Sequence, residues 1–117
     1  MELDEQFEVA VEVGGPLPVV RVRGELDTAT SPVLRRALTT LINENPGRRV
    51  VVDLAHMAFI DSTGLGVLVG ALKRARNHGG DVLLASLTSM TTKVLDITGM
   101  CRVFEIVELP DPSSTAA

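Results

Sequence analysis

The sequence holds one cysteine, no tryptophan, no tyrosine and only three phenylalanines. A single cysteine cannot close an internal disulfide, which fits a reducing compartment. So few aromatics leave almost no platform on which bases or sugars could stack. Basic residues are in the minority, 11 Lys plus Arg against 15 Asp plus Glu, for a net charge of −4. Direct nucleic-acid binders carry the opposite balance. No apolar run approaches the ~18 residues of a membrane span. No N-terminal stretch reads as basic, then apolar, then small, so no secretion signal is expected. Two histidines and the lone cysteine show no metal-ligand spacing. These absences leave a cytoplasmic domain, expected to need no membrane, no direct nucleic acid, no metal and no cofactor. The 117 residues allow one domain. At 45% hydrophobic against 22% charged, the chain can bury a core rather than stay disordered.

The patterning that is present alternates strand and helix. Phe7, Val9, Val11 and Val13 alternate with Glu8, Ala10 and Glu12, a strand with one wet face. Gly14-Gly15-Pro16 turns the chain, and Val20 and Val22 between Arg21 and Arg23 make its hairpin partner. Ser31 as cap and Pro32 as first helical residue open a helix with Val33, Leu34, Ala37, Leu38, Leu41 and Ile42 on one face. The continuous run Val50-Val51-Val52 reads as a strand buried on both sides, the mark of a parallel sheet centre. A loop over 55–61 and a helix to about Asn77 follow, then a strand at Val82-Leu83-Leu84-Ala85. A helix capped by Ser89 runs to a stop at Gly99, and Phe104, Ile106 and Leu109 form a last extended segment. This order predicts an α/β domain over 1–109, largely parallel in its sheet, with an N-terminal antiparallel hairpin and three to four helices. Residues 110–117 read as a disordered tail. Such sheets offer ligands the carboxyl ends of their strands, which singles out 25–31, 55–61 and 86–89.

The most informative stretch is Asp61-Ser62-Thr63-Gly64-Leu65-Gly66, which opens a helix after a buried strand. Backbone N–H groups there lack partners and carry partial positive charge. Two hydroxyls and a glycine in that setting suit phosphate binding or phosphorylation; plain capping by Asp61 or Ser62 explains them as well. Gly66 and Gly70 share a helix face, bared either for tight packing or for a partner. Enzyme signatures fail. Gly64-Leu65-Gly66 starts a dinucleotide fingerprint whose third position is Val69, and Lys73 lacks the glycine and hydroxyl of a P-loop. Ile60 stands where a nucleophile elbow needs glycine, and His56 has no identifiable orienting partner.

With Val50-Val51-Val52-Asp53-Leu54 before it and Val67-Leu68 after it, the 61–66 segment resembles the central motif of the anti-sigma factor antagonists, the small STAS-domain proteins. Gly24-Glu25-Leu26-Asp27 is similar to that family's second motif, and the resemblance runs over 7–109. It implies a non-enzymatic binding protein. Its partner would be an anti-sigma factor that is also an ATP-dependent serine kinase, and binding would release a sigma factor. The kinase would phosphorylate Ser62, which blocks rebinding, and a serine phosphatase would reverse the step. Asp27, Asp61, Ser62, Thr63, Gly64 and Leu65 would form the partner-binding surface. A weak homodimer stays open. The alternative is an unphosphorylated STAS subunit of a lipid or anion transport system.

Other residues carry blander expectations. Asp53 reads as a strand-end turn residue or a support for the Asp61 segment. Met57, Phe59 and Ile60 read as core anchors of a loop, and Cys101 as a small, partly buried hydrophobe. Arg21, Arg23 and the basic cluster over 73–78 read as solvated surface.

Overall fold

In the computed structural model, which describes residues 7–109, the alternating segments form the expected hairpin. β1 (Glu8–Glu12) pairs antiparallel with β2 (Val19–Leu26). There follow α1 (Ser31–Glu44), β3 (Arg49–Ile60), α2 (Ser62–Asn77), β4 (Asp81–Ala85), α3 (Ser89–Thr98), a 3-10 turn (Met100–Arg102) and β5 (Glu105–Val107). The sheet order is β1-β2-β3-β4-β5, and every pair after the first is parallel. This is the expected α/β architecture, with three α-helices and one short 3-10 turn among the described residues. The expected tail over 110–117 lies outside them.

Each strand lies beside its successor, so right-handed crossovers carry all three helices to one face of the sheet. That face holds the main core. Val20, Val22, Val50, Val52, Val82 and Leu84 project into it and meet Leu34 and Leu38 of α1 and Leu68 and Leu72 of α2. The opposite face carries Val19, Val51, Leu83 and Ala85, with Leu17, Val107 and Leu109 packed over them. Val50-Val51-Val52 is therefore buried on both sides, as its composition predicts.

The loop expected over 55–61 is a strand. β3 keeps pairing with β2 as far as Leu26 opposite Ile60. Two register shifts, between Arg21 and Arg23 and between Gly24 and Glu25, each fit an extra β3 residue against β2. The buried positions Leu54, Met57 and Ile60 consequently recur every third residue, which masks the period of two that marks a strand. Met57 and Ile60 are core residues, whereas Phe59, expected beside them, is 45% exposed. It lies opposite the exposed Glu25.

Asp53 sits within the strand rather than at its end. Its Oδ1 accepts the Ala55 N–H at 3.0 Å, and its Oδ2 lies 3.3 Å from Arg21 Nε. Arg21 also donates to Glu12. The hydrogen bond to Glu12, reinforced by Asp53, holds the Arg21 guanidinium above its ordinary pKa. Arg21 thereby joins β1, β2 and β3, and Asp53 is engaged there rather than in supporting Asp61.

Two helix starts differ from expectation by one residue. Thr30 is the N-cap of α1, without a side-chain capping bond. Ser31 is 1% exposed, and its hydroxyl has no partner among the described residues. Thr88 is the N-cap of α3, and its hydroxyl accepts the Thr91 N–H at 3.2 Å. Cys101 is exposed rather than partly buried.

Gly79 and Gly80 end α2 for separate reasons. Gly79 has φ +82°, a left-handed conformation that favours glycine. At Gly80 a Cβ would stand 2.3 Å from the Arg48 carbonyl oxygen, so the glycine lets β4 start directly beside β3. Gly80→Ala should lower the unfolding free energy by about 1–3 kcal/mol in urea titration, because backbone must move to admit the methyl. An unchanged midpoint would show that the two strand starts can separate freely.

Candidate functional site

Leu26 and Ile60 are the last paired residues of β2 and β3. Asp27 and Asp61 come next, so two carboxylates leave neighbouring parallel strands at the carboxyl edge of the sheet. The Asp61 N–H donates to the Leu26 carbonyl at 3.2 Å, holding the second exit against the first.

Asp61 caps α2. Its backbone is extended (φ −110°, ψ −174°), and its Oδ1 accepts the Gly64 N–H at 2.9 Å. The Leu65 N–H donates to the Asp61 carbonyl at 2.9 Å. Asp27 performs similar work before α1. Its Oδ1 accepts from the N–H groups of Ala29 at 3.0 Å and Thr30 at 3.1 Å. The Thr30 hydroxyl accepts the Asp27 N–H at 2.9 Å and lies 2.7 Å from the Glu25 carbonyl, to which it donates. Each carboxylate thus orders its own turn into a helix.

Ser62 is the first residue of α2 and is exposed. Its hydroxyl has no hydrogen-bond partner among the described residues, so the local fold does not depend on it. Thr63 is also exposed, and its Oγ1 lies 3.4 Å from Oγ1 of Thr28. This contact joins the two loops. Thr28 carried no pattern that sequence reasoning could use, because its role depends on the neighbouring segment alone. Leu65 is half-buried against the main core. Gly64 is buried, and a Cβ there would meet Leu26 Cγ at 2.7 Å and the Leu26 carbonyl oxygen at 2.8 Å. The bare backbone of Gly64 is what lets α2 begin against the end of β2. The structure therefore brings all six expected residues together, with Asp27, Asp61, Ser62 and Thr63 presenting polar groups and Gly64 setting the approach.

Gly66 and Gly70 do not serve packing: nothing lies within 4 Å of a Cβ built at either. They continue the Ser62 face of α2 at intervals of four and line an open groove beside α1, flanked by Arg35 and Arg74. Within the basic stretch over 73–78, Arg76 bonds Asp81 at 3.1 Å and the Val103 carbonyl at 3.1 Å, fastening the end of α2 to its neighbours. His56 is an exposed strand residue paired opposite Arg23. Among the described residues, no group of three His, Cys, Asp or Glu could hold a metal ion, and no helix is long and apolar enough to cross a membrane.

A sheet with one antiparallel hairpin and helices on a single face recurs in known proteins. A model of the STAS domain matches residues 8–111. The chain belongs to the STAS-domain family of anti-sigma factor antagonists. This STAS domain is similar to the anti-sigma-B factor antagonist of Bacillus subtilis (strain 168). The two are 36% identical over 87 residues, 74% of this chain and 78% of that protein. The crystal structure of an anti-sigma factor antagonist from Mycobacterium paratuberculosis superposes with a TM-score of 0.78 at 26% identity, over 94% of this chain and 92% of that one. The Bacillus cell fate determinant SpoIIAA in its phosphorylated form shares the fold, with a TM-score of 0.68 at 20% identity over 94% and 96% of the two chains.

The glycines of this STAS domain should separate by experiment. Gly64→Ala should destabilise the fold by about 1–3 kcal/mol through its clash with Leu26. Gly66→Ala, in open space on a helix, should stabilise it by up to about 1 kcal/mol. Asp61→Ala should cost about 1 kcal/mol through loss of the cap. Denaturant midpoints read all three, and equal effects of the two glycine variants would contradict this assignment.

Proposed function

We propose that this STAS domain acts as an anti-sigma factor antagonist controlled at Ser62. Unphosphorylated, it docks on an anti-sigma factor through Asp27, Asp61, Ser62, Thr63 and the backbone at 64–65, and the sigma factor is released. The anti-sigma factor is a serine kinase that transfers the γ-phosphoryl group of ATP to the Ser62 hydroxyl. The phosphorylated form no longer rebinds, and a serine phosphatase restores it. The domain works in the cytoplasm as a binding module.

One observation carries this reading: Ser62 is exposed at the head of α2, with no hydrogen-bond partner for its hydroxyl among the described residues. A phosphoryl group there adds about −1.5 to −2 charges at neutral pH. The unpaired N–H groups of the first helical turn accommodate charge on the protein side, so the fold survives. On the partner side, the dianion joins Asp27 and Asp61 in an acidic patch. Docking would then require desolvating that charge against the partner surface. A loss of about 3 kcal/mol reduces affinity more than a hundredfold.

Incubation with the cognate kinase and ATP should add one phosphate to the wild-type chain and none to Ser62→Ala, read by intact-protein mass spectrometry. Equal labelling of both would move the phosphoacceptor elsewhere. Ser62→Asp should bind the kinase at least tenfold more weakly, in calorimetry or biosensor titration, with its thermal midpoint nearly unchanged. Undiminished binding would overturn the switch.

A further inference from the structure

The edge strand β1 leaves part of its helix-side face uncovered. Val9 and Val11 pair with Val22 and Val20, which lie in the helix-side core, so their side chains project toward the helix layer. α1 does not reach far enough to cover all of them. Val11 is 48% exposed, Val13 just beyond the strand is 59% exposed, and Val33 on α1 is 51% exposed. These three line one open trough between β1 and α1, with Ala37 beside them. Three of the six large exposed hydrophobic residues among the described residues thus share a single patch. It adjoins a strand edge that has no neighbour in the sheet among the described residues. An apolar patch beside an open edge marks a surface that another chain can cover.

The rim of the trough identifies that chain. Arg36 and Glu44 both line it. They stand eight residues apart on α1 with Thr40 midway, on one line along the helix. Neither forms a salt bridge among the described residues. A two-fold axis passing near Thr40 sets Arg36 of each copy against Glu44 of the other, so the charge pattern is complementary to itself. The same axis, normal to the sheet, runs two β1 edges antiparallel. A register centred on Val11 places Val9 opposite Val13 and Glu12 opposite Ala10. A register centred on Ala10 would instead oppose Glu8 and Glu12, which is unfavourable.

We propose that the β1–α1 trough seats a second copy of this chain in a two-fold symmetric dimer. The two sheets join edge to edge through β1, and the paired α1 helices close over the exposed valines. None of the residues lining the trough belongs to the Asp27 and 61–65 surface, so dimerisation leaves Ser62 reachable. The proposal is independent of the phosphorylation reading.

Sedimentation equilibrium of the purified full chain over a dilution series should show a dimer at twice the chain mass that dissociates at low concentration. Arg36→Glu and Glu44→Arg should each weaken it by about tenfold or more, since each change creates two like-charge contacts. The double variant R36E/E44R should recover wild-type dimerisation. Val11→Glu should abolish it, and far-ultraviolet circular dichroism should show that every variant keeps the wild-type fold. A wild-type monomer at every concentration would overturn the proposal. So would single charge variants that dimerise like wild type, or a double variant as weak as either single one.

Discussion

The start of α2 rests on the last residue of β2, and the approach is so close that only glycine fits. Leu26 meets Gly64 through both its side chain and its carbonyl oxygen, while the same carbonyl accepts the Asp61 N–H at 3.2 Å. Leu26 is itself fully buried in the main core. The position of the helix is therefore fixed by the hydrophobic packing of the sheet rather than by the loop that precedes it. Ser62 and Thr63 inherit that position. They emerge beside Asp27 and Thr28 because the two strand ends they follow are adjacent.

Asp27 and Asp61 have related structural duties and one shared surface. One oxygen of each carboxylate orders a turn by accepting backbone N–H groups. Their negative charge nevertheless stays at the edge of the sheet. In the proposed switch this arrangement has a direct use. The groups that hold the surface in shape are the same groups that make it acidic, so a phosphate added at Ser62 changes the electrostatics of a rigid face. Such a device needs no refolding.

Much of this was legible in the sequence where a single period governs a segment. The hairpin, the doubly buried Val50-Val51-Val52 and the apolar faces of α1 and α2 follow from local alternation. The capping signature at 61–64 located the site, and the family motif added Asp27 to it. What remained hidden depends on neighbours. Two extra residues in β3 turned a strand into a pattern that reads as a loop. Ser31 and Thr30, like Ser89 and Thr88, offer equivalent caps one residue apart, and tertiary packing chooses between them. The sequence gives the spacing of Gly66 and Gly70 without saying whether their face meets the sheet or solvent. Val11 and Val13 lie on the side their alternation predicts, yet only the reach of α1 decides that they stay uncovered.

The two bulges of β3 also set the parity of the strand. Val20 lies opposite Val52, and six residues later in β2 Leu26 lies opposite Ile60, eight residues later in β3. Each bulge shifts the up-and-down alternation by one step, and two shifts cancel. Ile60 therefore returns to the side on which Val52 began, and the acidic cap that follows leaves the sheet in phase with its neighbour. Residues paired across the ladder share a face, so each bulge absorbs one extra β3 residue while Ile60 stays opposite Leu26. The two bulges thus act as slack in the strand: surplus length is taken up locally, and the serine-bearing helix keeps its point of departure.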